Sequence, residues 1–264
     1  MSRQTRNPPR PHAGKRRPHG SFRSTQGDDG PLHLYGLHTV EAAFANRARK
    51  RIRLLATENA VRRLAERGVT PDVPVEIVSP RQLDQLVGRD AVHQGAVLEA
   101  WPLPPLGAKD LGRARLVLAL DQVTDPHNVG AILRSAVALA ADAVVTTERH
   151  APEEGPVLAK SASGALDMIR HVRVKNMARF IAEMREEGFR CVALDSAGPA
   201  RLEETELGEK TVLVLGSEGK GVRQGVREAC DTLARLDMPG ELASLNVSNA
   251  AVLALYVTRA KMGL

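Results

Sequence analysis

The stretch LVLALDQVTDPHNVGAILR, residues 116–134, carries the reading of the fold. Leu116–Asp121 is apolar at successive positions, the pattern of a strand covered from both sides rather than a half-exposed one. A polar loop follows, Asn128 stands where a helix N-cap belongs, and helical spacing runs through Val129–Ala141. Strand, loop and helix then repeat down the chain from Ala114. Further strands are expected at Ala143–Thr147, Val172–Val174, Cys191–Asp195, Thr211–Gly216 and Leu233–Leu236. Further helices are expected at Met177–Glu187, Gly221–Ala229 and Ser248–Met262. This alternation predicts an α/β domain over residues 114–264, built on a mostly parallel sheet with helices on both faces.

Working outward, residues 32–100 read as a smaller α/β unit. A short strand is expected at the start of His33–Val40, leading to a helix over Glu41–Arg49 with Thr39 as its cap. Ile52–Thr57, Val75–Val78 and Ala96–Ala100 have strand character, and Val61–Arg67 and Pro80–Leu86 have helical character. Residues 101–113 begin WPLPPLG, whose three prolines predict a semi-rigid linker.

The 264 residues carry a net charge of +6, unevenly spread. Residues 1–30 hold seven basic and two acidic side chains, which leaves 30 basic against 29 acidic in the remainder. A tail so rich in Pro, Gly, Ser and Arg cannot bury enough apolar surface to fold alone. Residues 1–31 are therefore expected to be a disordered arm that attracts phosphate. An inert solubilising tail and a transit peptide are the alternatives, and Pro8, Pro9, Pro11 and Pro18 oppose the amphipathic helix that a transit peptide needs. Aromatic residues make up only 3% of the chain, which argues against broad stacking platforms for single-stranded bases. No apolar run reaches bilayer length, so no membrane partner is expected. Cys191 and Cys230 lack zinc-type spacing and read as reduced residues of a cytoplasmic protein. The eight histidines show no paired ligand spacing, and no metal is expected.

Three motifs carry chemistry. In the first, the polar loop after Asp121 and the helix start at Asn128 form the kind of place where α/β proteins bind anionic ligands. Arg134, six residues on, is an odd neighbour for Ile132 and Leu133; plain capping by Asn128 and snorkelling by Arg134 explain the motif equally well. The second, VLVLGSEGKG at 212–221, runs an apolar strand into a glycine-dense turn with one carboxylate, Glu218. Its glycine spacing fits neither a dinucleotide fingerprint nor a phosphate-binding loop, and an ordinary strand-to-helix turn is the alternative. The third, MPGELASLNVSNAA at 238–251, offers Ser244, Asn246, Ser248 and Asn249 before an Ala-rich helix, with simple capping by Ser248 as the bland reading.

Taken in order, NVGAILR (128–134), LGSEG (215–219) and SLNVSNA (244–250) resemble the three motifs of the SpoU/TrmH RNA methyltransferases. HLYGLHTVEA (33–42) and AVHQGAV (91–97) resemble the ends of the substrate-binding domain that precedes the catalytic domain in several members, so the likeness covers residues 32–264. The resemblance implies a C-terminal trefoil-knotted (SPOUT) methyltransferase domain behind a small L30e-like substrate-binding domain, and a homodimer formed through the knot. It implies S-adenosyl-L-methionine as cofactor, held largely by backbone, with Gly216, Leu236, Met238, Ser244 and Leu245 as contacts. It assigns Asn128, Arg134, Glu218 and Asn246 to the catalytic centre, with Asn128 and Glu218 orienting Arg134. Arg134 is the family's candidate base for the ribose 2′-hydroxyl. A guanidinium gives up its proton only at high cost, so fixing the ribose and its phosphate is the other role open to it. One departure is LDMPG at 236–240, where relatives commonly read Ile-Pro-Met before the glycine. The extra upstream domain points to a guanosine of large-subunit ribosomal RNA; a tRNA ribose methyltransferase and a non-catalytic RNA-binding factor are the alternatives.

Overall fold

The computed structural model describes residues 30–241 and 245–264. Of the basic arm expected over residues 1–31, residues 1–29 lie outside the described residues. The chain from Leu32 forms β1 (Leu32–Tyr35), α1 (Leu37–Ala45), β2 (Arg51–Ala56), α2 (Glu58–Glu66), β3 (Val75–Ile77), α3 (Pro80–Val87) and β4 (Ala96–Ala100). These strands make a mixed sheet in the order β1-β4-β2-β3. Thr39 does not cap α1: the helix starts two residues earlier, after Gly36 at φ 92, and Thr39 is buried inside it.

The second half supplies β5 (Leu116–Asp121), α4 (Pro126–Ala138), β6 (Ala143–Thr147), α5 (Pro156–Ala162), α6 (Ala165–Met168), β7 (Arg170–Val174), α7 (Met177–Glu186) and β8 (Arg190–Leu194). It continues with β9 (Ala200–Arg201), β10 (Thr211–Gly216), α8 (Gln224–Ala229), β11 (Thr232–Arg235) and α9 (Val247–Met262). All pairings in its seven-stranded sheet, β7-β6-β5-β10-β8-β11-β9, are parallel. Successive side chains of the central strands divide between two cores. Leu116, Leu118, Leu120, Leu213 and Leu215 pack with residues of α4 and α9, while Val117, Ala119, Val212 and Val214 pack with residues of α7 and α8. Burial on both faces is why these strands are continuously apolar. Gly130 is a packing requirement on α4: a Cβ there would lie 2.4 Å from the Ser161 side chain on α5.

The proline-rich segment is stitched down rather than spanning free. Trp101 donates its backbone N–H to Lys50, Leu106 bridges Val172, and Leu111 is fully buried in a 3-10 turn, Ala108–Leu111. The two sheets belong to one compact unit, Pro31–Leu264. Arg49 helps join them. Its buried guanidinium grips both oxygens of Asp167 at 2.8 and 3.0 Å, the Trp101 carbonyl at 3.0 Å, and Glu154.

Candidate active site

Because every strand of the large sheet points the same way, the loops after β5, β8, β10 and β11 gather at one edge, where open α/β sheets hold ligands. β10 ends at Gly216, in register with Asp121 at the end of β5. The chain then doubles back through Ser217–Gly221, closed by a Gly221 N–H to Ser217 carbonyl bond of 2.9 Å. A Cβ on Gly216 would lie 1.9 Å from the Gly221 carbonyl carbon, so only glycine permits this turn. The turn is anchored by a residue pair that the sequence did not reveal. Asp121, wholly buried, accepts from the Arg223 backbone N–H at 3.0 Å and from its guanidinium at 2.6 and 3.0 Å. These bonds raise the Arg223 guanidinium further above its ordinary value. They also hold residue 223 extended, which is why α8 starts at Gln224 and not at the expected Gly221.

Helix α4 begins earlier than expected, and this changes what Asn128 does. Pro126 takes the first helical position and Asp125 is the cap, accepting from the His127 N–H at 2.9 Å. Asn128 is thereby released from capping and faces the other two motifs. The cap of α9 is likewise Asn246, not Ser248: its side-chain Oδ1 accepts from the Ser248 N–H at 2.9 Å. The Asn246 amide donates to Glu218 Oε1 at 2.7 Å and to Asn128 Oδ1 at 3.0 Å, and the Asn128 amide donates to the same glutamate oxygen at 3.4 Å. The Val247 N–H adds a bond of 3.3 Å to Glu218 Oε1. Three segments far apart in sequence thus close into one polar trio that solvent can reach. Arg134 stands apart. It is exposed on α4, and Asn128 and Glu218 spend these bonds on Asn246 and each other rather than on orienting the arginine.

Beside the trio lies a cleft of about 400 Å³, lined by Gly216–Gly221 from the β10 turn and by Leu236, Met238 and Leu245. Four of the five expected cofactor contacts therefore surround one space; Ser244 lies outside the described residues. Asp195, Ser196 and Arg227 also line it and were not foreseen. A charged residue ending an apolar strand was the available signal for Asp121, since a buried carboxylate requires a partner. Burial pushes the thiols of Cys191 and Cys230 up to about 12, so neither is a ready nucleophile. Among the described residues, no cluster of His, Cys, Asp or Glu could hold a metal ion, and no helix is long and apolar enough to cross a membrane.

Fold and site define an α/β protein with a small-molecule cleft and a polar trio at the carboxyl edge of a parallel sheet. The chain belongs to the SpoU rRNA methylase family, which residues 115–256 match, and residues 33–106 match the substrate-binding segment of RNA 2′-O ribose methyltransferases. It is similar to the 23S rRNA (guanosine-2′-O-)-methyltransferase RlmB of Pseudomonas aeruginosa, 36% identical over an alignment of 234 residues that covers 84% of this chain and 94% of that one. The protein of the same name from Xylella fastidiosa is 38% identical over 216 residues, 78% of this chain and 83% of that one. Among solved structures, the SpoU methyltransferase AviRb from Streptomyces viridochromogenes shares the fold. Its TM-score is 0.75 at 24% identity, over 88% of this chain and 90% of that one.

Proposed function

We propose that this chain transfers a methyl group from S-adenosyl-L-methionine to the ribose 2′-hydroxyl of a guanosine in 23S rRNA. The observation that carries the reading is the meeting of Asn128, Glu218 and Asn246 at the mouth of the cleft lined by Gly216, Leu236, Met238 and Leu245. The relatives named RlmB support the substrate, and AviRb in complex with the cofactor supports the donor. The cleft suits the cofactor in chemistry as well as size. Apolar side chains flank exposed backbone, which serves an adenine whose edge needs neutral donors and acceptors. Ser244 is assigned to cofactor contact by the family pattern.

The bound cofactor supplies an electrophilic methyl group on a sulfonium. The chain's own residues align the ribose and manage its proton. Glu218 takes all three described bonds on Oε1, which leaves Oε2 to accept from the 2′-hydroxyl and point its oxygen into the cleft. The amides of Asn128 and Asn246 fix that carboxylate. Arg134, exposed on α4, acts as a donor to the ribose and its phosphate, and the hydroxyl proton passes late in the step to Glu218 Oε2.

The same reading takes the chain through a C-terminal trefoil knot, makes residues 32–100 an L30e-like RNA-binding domain, and places the enzyme in the cytoplasm as a homodimer. Val252, Leu253 and Tyr256 support pairing: they are exposed on α9, whose Ala251, Ala254 and Leu255 are buried. The test is incubation of methyl-labelled cofactor with 23S rRNA and, in parallel, with tRNA. The reading expects label in a guanosine whose 3′ linkage resists alkali. Label confined to tRNA, or none in RNA, would overturn it.

A further inference from the structure

The cleft extends beyond the trio, and its far side holds a carboxylate that the family reading leaves without a task. Asp195 follows β8, which lies on the opposite side of β10 from β5. Its side chain is 14% exposed and lines the cleft. The turn that carries it is rigid. Asp195 Oδ1 accepts from the Ala197 N–H at 2.9 Å, Gly198 N–H bonds the Asp195 carbonyl at 2.9 Å, and Gly198 is pressed so closely on β11 that a Cβ would lie 2.5 Å from the Ala234 carbonyl carbon. Arg227 holds Oδ2 at 2.9 Å. The same oxygen lies 3.7 Å from the Cβ position of Gly221, so it faces the glycine turn.

A carboxylate has room for about four hydrogen bonds, and Asp195 uses two within the chain. We infer that Asp195 binds the ribose hydroxyls of the cofactor, with Arg227 and the Ala197 N–H fixing its orientation. This rests on the cofactor reading above. The reactive methyl must face the trio beside β5 and β10, and neighbouring strands are spaced about 4.8 Å apart. The cofactor's ribose, joined to the sulfonium through its C5′ carbon, then comes opposite β8, and the adenine reaches Leu236 and Met238. A carboxylate accepting from a vicinal diol is the same solution that dinucleotide-binding folds use for their ribose.

The test is calorimetric binding of S-adenosylhomocysteine and its 2′-deoxy and 3′-deoxy analogues to the full chain, as wild type, Asp195→Ala and Asp195→Asn. The wild type is expected to bind at least one deoxy analogue about tenfold more weakly than the parent. In Asp195→Ala, parent and analogues should bind with one common, weakened affinity. Asp195→Asn retains an oxygen for the Ala197 N–H and controls for the turn. A deoxy penalty that is absent from the wild type, or undiminished in both variants, overturns the inference. Failure of the wild type to bind S-adenosylhomocysteine at all would instead bring down the cofactor reading on which the inference stands.

Discussion

Glu218 concentrates three donors on one oxygen, so its amide counterpart cannot reproduce the site. Glu218→Gln would set an NH₂ group against donors or against the substrate hydroxyl, and the trio would lose its alignment. We expect a fall in kcat of about a hundredfold with little change in KM for the cofactor; a near-normal kcat would contradict the assignment. Arg134→Ala should lose at least as much in kcat/KM for RNA while S-adenosylhomocysteine binds as before, since the arginine is exposed and outside the cleft lining. Retained methyl transfer would remove Arg134 from the mechanism. The sequence made the members of the site legible but not their bonding. Asn128 reads as a cap or a catalytic group with equal ease, and only the start of α4 at Pro126 shows that it is free for the trio. Arg223 was out of reach because its partner Asp121 lies 102 positions away.

At the level of elements, the turn after β10 depends on the Asp121–Arg223 pair. Arg223→Ala would leave a buried carboxylate with one backbone donor. That should cost about 3 kcal/mol of stability, read from chemical denaturation, with cofactor binding weakened as the turn relaxes. A loss below about 0.5 kcal/mol would mean that the pair anchors nothing. On β7, burial, with Arg173 adding to it, depresses His171 from 6.5 to about 4, and Nε2 lies 2.9 Å from the Thr146 hydroxyl, its hydrogen-bond partner. The unfolded chain binds a proton through that window that the folded chain excludes. The contribution is therefore complete above pH 6.5 and is lost as pH falls towards 4. His171→Gln should lose less stability across that window than the wild type, and equal losses would contradict the account. Central strands were legible because burial on both faces leaves a continuous apolar run. Helices α5 and α6 were not foreseen because Ser163 and Gly164, both left-handed, break the pattern between them. The two-residue β9 is too short to register.

For the whole molecule, the division into a small and a large α/β part was readable from alternating patterns, but their attachment was not. Prolines in WPLPPLG read as a spacer, whereas buried Arg49 and its bonds to Asp167, Trp101 and Glu154 tie the parts together across distant positions. Charge was similarly misleading as a guide to RNA, because nearly all the excess lies in residues 1–30. The RNA reading rests on the family, on the substrate-binding segment at 33–106, and on a trio suited to a ribose hydroxyl. Its most direct test is a map of ribose methylation over total RNA from cells lacking this protein. The account predicts loss of one 2′-O-methylguanosine in 23S rRNA, restored by the wild type but not by Glu218→Gln; intact rRNA methylation, or a loss confined to tRNA, would contradict it.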